Sequence, residues 1–131
     1  ASRLKTKGTY GVFSNGVVPL YNSGDIPMDY KLRIAFPENL TFSSISVIIE
    51  GGSKQLNFSS FARKGSDIQI QINTKTQLVQ GIDSNGNETQ NIYNEFISSG
   101  DFFKIPEQVD TSIAVTPSAL ACTIDYWYYY F

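Results

Sequence analysis

"SDIQIQINT", residues 66–74, is the stretch whose reading decides the fold. Ile68, Ile70 and Ile72 alternate with Asp67, Gln69, Gln71 and Asn73. Successive side chains of a strand point to opposite faces, whereas a helix would repeat its apolar residues every third or fourth position. The stretch therefore reads as a half-buried strand, with the isoleucines inward and the polar residues outward.

The same period of two continues in both directions. "YKLRIAF" (30–36) sets Leu32 and Ile34 against Lys31 and Arg33. "FSSISVIIE" (42–50) and "KQLNFSSF" (54–61) flank Gly51-Gly52, a hairpin signal. "TQLVQGI" and "ETQNIYNEF" surround Asn85-Gly86, a second turn. "TSIAVTP" and "SALACTIDYWYYYF" are separated at Pro117, and Pro27, Pro37 and Pro106 punctuate similarly. The only helix signal is a turn or two within 93–98. Nine or ten short strands with regular turns predict an all-β, antiparallel β-sandwich or jelly roll with at most one short helix. No repeat or internal linker divides the 131 residues, so residues 1–131 read as one domain. "ASRLKTKG" does not read as the start of a fold. Residues 1–16 are expected to be a lead-in segment, and the domain a piece of a longer chain.

Composition narrows the function classes. Charged residues make up 17% of the chain, with a net charge of −2 and the signs interspersed, so no footprint for nucleic acid or an anionic membrane is visible. No apolar run reaches the length of a helical membrane span, and no signal peptide is expected. Histidine is absent, which removes Ser-His-Asp and Cys-His catalysis and the commonest metal ligand. The single cysteine, Cys122, lies in an apolar run and reads as a buried, inert thiol. The twelve Asp and Glu residues are scattered over turns and outward strand positions, singling out no pair for a glycosidase. The chain is expected to be no enzyme, with no cofactor and no metal. "DSNGNE" (83–88) has the composition of a calcium loop, but its Gly is fourth rather than sixth and its twelfth position is Asn94. A hairpin tip using Asn and Gly at positive φ is the better account, with a weak calcium site the alternative. N-x-[ST] triplets at Asn39, Asn57 and Asn87 carry little weight in a chain so rich in Asn, Ser and Thr.

From Ile68 onward the chain resembles the carboxy-terminal domain of distal tail proteins of long, flexible-tailed bacteriophages. The resemblance rests on the strand ending at Asn73-Thr74, the hairpin tip of 81–87, "DFFKIP" (101–106), and the closing Thr123, Ile124 and Tyr126. Upstream, "YNSGDIPMDYKLRI" (21–34) matches the family's turn before its first long strand, so the likeness covers Val17 to Phe131. It implies a galectin-like sandwich, a place in the virion at the tail tip or baseplate, and a structural role linking the tail tube to the adsorption apparatus. Implied partners are other tail-tip proteins: the tube, receptor-binding or tail-associated subunits, and copies of the chain joined in a ring through an amino-terminal domain lacking here. The likeness does not extend to galectin's sugar site, which needs a His.

The end of the chain, "IDYWYYYF" (124–131), carries the candidate contact residues. Period two places Leu120, Cys122, Ile124, Tyr126, Tyr128 and Tyr130 toward the core. It places Ala121, Thr123, Asp125, Trp127, Tyr129 and Phe131 on the opposite face. Trp127, Tyr129 and Phe131 would then form an exposed aromatic patch, which is unusual on a monomer. They are the expected contacts with another tail protein or, alternatively, a stacking platform for cell-wall carbohydrate.

Overall fold

The strand signals resolve into two stacked antiparallel sheets in a computed structural model that describes residues 3–13, 17–35, 42–49, 54–108, 110–116 and 121–130. Side chains are described over 21–35, 54–59, 61–108, 110–116 and 121–127. In chain order the strands are β1 (Arg3–Phe13), β2 (Val17–Tyr21), β3 (Tyr30–Ala35), β4 (Phe42–Ile49), β5 (Gln55–Phe61) and β6 (Gln69–Asn73). They continue with β7 (Leu78–Ile82), β8 (Glu88–Ile92), β9 (Ile97–Gly100), β10 (Asp110–Thr116) and β11 (Cys122–Tyr130). One 3-10 turn, Asn94–Phe96, joins β8 to β9. The six-stranded sheet runs β1-β11-β3-β6-β7-β8 and the five-stranded sheet β2-β10-β4-β5-β9. The chain is an all-β, antiparallel sandwich.

The core lies between the sheets because alternation gives each sheet one apolar face. Leu32, Ile34, Ile70, Ile72, Val79 and Ile124 from one sheet meet Leu56, Phe58, Phe61, Ile113 and Val115 from the other. The crossing from β8 to β9 is anchored by Tyr93, whose ring stacks on Phe61 at 5.1 Å and 8°. Phe58 and Phe61 meet edge-on at 5.6 Å. Cys122 is buried in this core, and desolvation pushes its thiol up to about 12. Pro19 is tolerated within β2 because that strand is an edge, where a missing N–H need cost no ladder bond.

Several expectations are corrected. Among the described residues there are eleven strands rather than nine or ten. Part of the excess comes from residues 1–16, expected as a lead-in: Arg3–Phe13 form β1, antiparallel to β11 from Phe13↔Cys122 to Arg3↔Tyr130. The 66–74 stretch is a strand, but its polar face is not outward throughout. Ile68 is 40% exposed, while Asp67 and Gln71 are each only 1% exposed. Ordered strand begins at Gln69, and the chain before it turns Asp67 inward to meet Tyr93, so Ile68 points away. Gln71 is covered by its polar neighbours: it accepts from Arg33 Nε at 3.0 Å and donates to Glu88 Oε1 at 3.0 Å.

The hairpin reading of 83–88 stands, but of its tip only Gly86 takes positive φ, at 82°, and Asn85 does not. The tip is held instead by Asp83 Oδ1, which accepts from the N–H groups of Asn85 (2.9 Å) and Asn87 (3.0 Å). The Gly51-Gly52 turn, Pro37, Pro117 and Asn39 lie outside the described residues.

Candidate interaction site

β11 is flanked unequally along its length, and that inequality builds the site. From Cys122 to Tyr126 it lies between β1 and β3. Beyond Tyr126 only β1 continues, out to Arg3↔Tyr130, and no ladder partner follows on the β3 side among the described residues. One bond remains there, Trp127 N–H to Asp29 O at 3.3 Å. The aromatic ending is thus a two-stranded ribbon extending past the β3 end of the sheet. Such ribbons are marginal by themselves, and their unpaired edge is open to a further strand.

Asp29 fixes this end of the molecule. Its Oδ1 accepts from the Thr74 hydroxyl at 2.9 Å, and that same hydroxyl accepts from Tyr30 N–H at 3.1 Å. The Asn73-Thr74 step therefore holds the start of β3 by a buried hydrogen bond. Lys104 Nζ stands 3.7 Å from Asp29 Oδ1, joining the 101–106 loop to the same point. The turn before β3 is organised by buried Asn22: its Nδ2 donates to Ile26 O (2.9 Å) and Ile105 O (3.1 Å), and its Oδ1 accepts from Gly24 N–H (2.9 Å). Burial raises the Tyr30 hydroxyl's pKa well above its ordinary value, with the Asp29 charge adding to the effect.

Next to Asp29 is a groove of about 790 Å³. Its sides are Pro27 and the 101–106 loop on one hand and the adjoining ends of β5 and β9 on the other, with Phe103 as floor. Gly100 lets β9 reach this position. It has φ 90°, and a Cβ there would fall on the Gln55 carbonyl oxygen.

Of the expected contact residues, Trp127 is half-buried rather than exposed, and Lys31 Nζ sits 5.8 Å above its ring. One indole face therefore already has a cation against it, which narrows the stacking surface available to a sugar. Tyr129 lies on the ribbon, and Phe131 is outside the described residues. Cys122 and Ile124 face the core as expected, but Tyr126 is only partly buried at its margin. The groove was not anticipated; its nearest sequence signal is Gly100 ahead of "DFF". Asn57, the residue of one glycosylation triplet, uses its Nδ2 to donate to Ser99 Oγ at 2.9 Å.

No protein-family model and no curated sequence matches the chain. A solved structure does. In fold, the chain is similar to the Dit protein of phage SPP1. The TM-score is 0.67 at 15% identity, over 96% of this chain and 48% of that one. The chain thus spans about half the length of the protein it matches. That crystal structure is described as a paradigm of the hub adsorption apparatus in phages infecting Gram-positive bacteria. At this identity the likeness speaks to fold, and it covers both sheets rather than a fragment of one.

Proposed function

We propose that this chain is a structural, non-enzymatic component of a bacteriophage tail tip, a galectin-like domain that helps join the tail tube to the adsorption apparatus. The observation that carries this reading is the shared fold with SPP1 Dit over nearly the whole chain. The ribbon supplies the means. Trp127 and Tyr129 lie where β11 has lost one ladder partner, so an adjacent tail protein can gain both backbone pairing and aromatic contact there. Phe131 is proposed to extend the same contact. Ring formation is assigned to a part of the assembly other than this sandwich. Immunogold electron microscopy with an antibody raised against this chain tests the role. Gold at the tail tip of the particles is the expected result; gold on the head or along the tail shaft, or none on intact particles, contradicts it.

A further inference from the structure

We propose that the groove beside Asp29 binds an anionic glycan, a hydroxyl-bearing chain that carries phosphate or carboxylate groups. Its volume of about 790 Å³ has room for several sugar or polyol units, within the usual range of ligand clefts. The apolar part of the lining comes from Pro27, Phe102 and Pro106, and the C–H face of a sugar or polyol packs on surfaces of this kind. Gln55 and Asp101 add an amide and a carboxylate able to take hydroxyl hydrogen bonds.

Charge decides the sign of the occupant. Lys54 and Lys104 line the groove against a single lining carboxylate, Asp101, in a chain whose net charge is −2. Lys104 is shared with Asp29 at 3.7 Å, a distance too long for a hydrogen bond. Lys54 is exposed and has no ion-pair partner among the described residues. An anionic group in the groove would give Lys54 a partner, and Lys104 would add to the attraction. An extended peptide is the poorer fit. Strand addition needs free backbone groups, but the Gln55 carbonyl already accepts from Asp101 N–H at 3.2 Å, and Gly100 closes β9 there.

Isothermal titration of the purified chain with four short probes tests the assignment: a tetramer of glycerol phosphate, tetragalacturonate, neutral maltotetraose and tetraglutamate. Expected is saturable binding of one or both anionic polyols, at least tenfold tighter than maltotetraose or tetraglutamate. The first two probes separate a phosphate source from a carboxylate source. Lys54→Ala and Phe102→Ala should each weaken binding at least fivefold. Lys54 is exposed and Phe102 half-buried, so a melting curve is taken on each variant, and Lys54→Ala alone suffices should Phe102→Ala unfold. Saturation by neither anionic polyol at millimolar concentration overturns the proposal, as does binding unchanged in Lys54→Ala. Equal binding of tetraglutamate shows a groove that reads charge alone and overturns the glycan assignment. The titration is independent of where the chain sits in a particle, so its failure leaves the tail-tip reading standing.

Discussion

Asp67 shows what one side chain does in this molecule. Its buried carboxylate accepts from the Tyr93 hydroxyl at 2.6 Å and from Asn91 Nδ2 at 3.0 Å. Tyr93 Oη also accepts from Lys64 N–H at 2.9 Å, so the phenol ties the turn between β5 and β6 to the β8–β9 crossing. Tyr93→Phe leaves the carboxylate one donor short and should cost about 1–3 kcal/mol in urea unfolding. With Asp67→Asn in a double-mutant cycle, the two losses should be strongly non-additive. Alternation hid this residue, because it assigned Asp67 to solvent. The legible sign was Gly81 in the middle of an otherwise bulky strand, since a strand glycine often marks a close approach. A Cβ there would fall on Asp67 Oδ2.

Titration of buried groups belongs to the same scale. The folded chain holds the Cys122 proton up to about 12 against an ordinary 9.0, and burial raises Tyr30 and Tyr93 as well, with Asp67 adding to Tyr93. A group raised in the folded state contributes stability that is whole below its unfolded value and lost as pH climbs toward its folded value. Thermal melts should therefore be flat from pH 7 to near 9 and fall steeply above it. In Cys122→Ala the fall should begin about one pH unit later, where the tyrosines take over. An unchanged onset would show that the thiol is not the first group to titrate.

At the scale of elements, strands between two neighbours were legible, as was the edge β8 that a tight turn joins to β7, whereas the edge β1 was not. β3 and β6 need apolar residues across from both partners, and that requirement writes the alternation of Leu32, Ile34, Ile70 and Ile72. β1 has a neighbour on one side only, and with Arg3, Lys5 and Lys7 in its first half it carries little apolar pattern. Its place is set by pairing with β11, which no local sequence signal announces. Deleting residues 1–13 should therefore lower stability by several kcal/mol and promote self-association through the uncovered β11 edge. A truncated chain that melts like the intact one and stays monomeric in sedimentation would return β1 to the status of a lead-in. Glycine substitutions separate turns from contacts in the same way. Gly86→Ala meets open space and should cost about 1 kcal/mol, the penalty of positive φ alone. Gly100→Ala combines φ 90° with a clash on the Gln55 backbone and should cost clearly more, as read by urea midpoints.

For the whole molecule, the sandwich follows from period two and turn chemistry, while the strand order does not. Antiparallel partners such as β11 and β1 lie at opposite ends of the chain, and a pattern of alternation holds no information about such distant pairs. The groove stayed hidden for the same reason, since Pro27, Lys54 and Lys104 meet only through the tertiary fold. The proposed function gives the molecule two separate duties, stability in the inter-sheet core and assembly at the ribbon end. Trp127→Ala tests that separation most directly, with Tyr30→Ala as the core comparison. Tyr30 is fully buried, so its truncation should cost about 3–5 kcal/mol. Trp127 is half-buried with Lys31 over its ring, so its loss should move the melting temperature by about 4 °C or less. Phage carrying Trp127→Ala should nonetheless yield few particles with complete tail tips. A Trp127→Ala chain that melts as low as Tyr30→Ala, or virions that assemble at wild-type yield, would contradict the account.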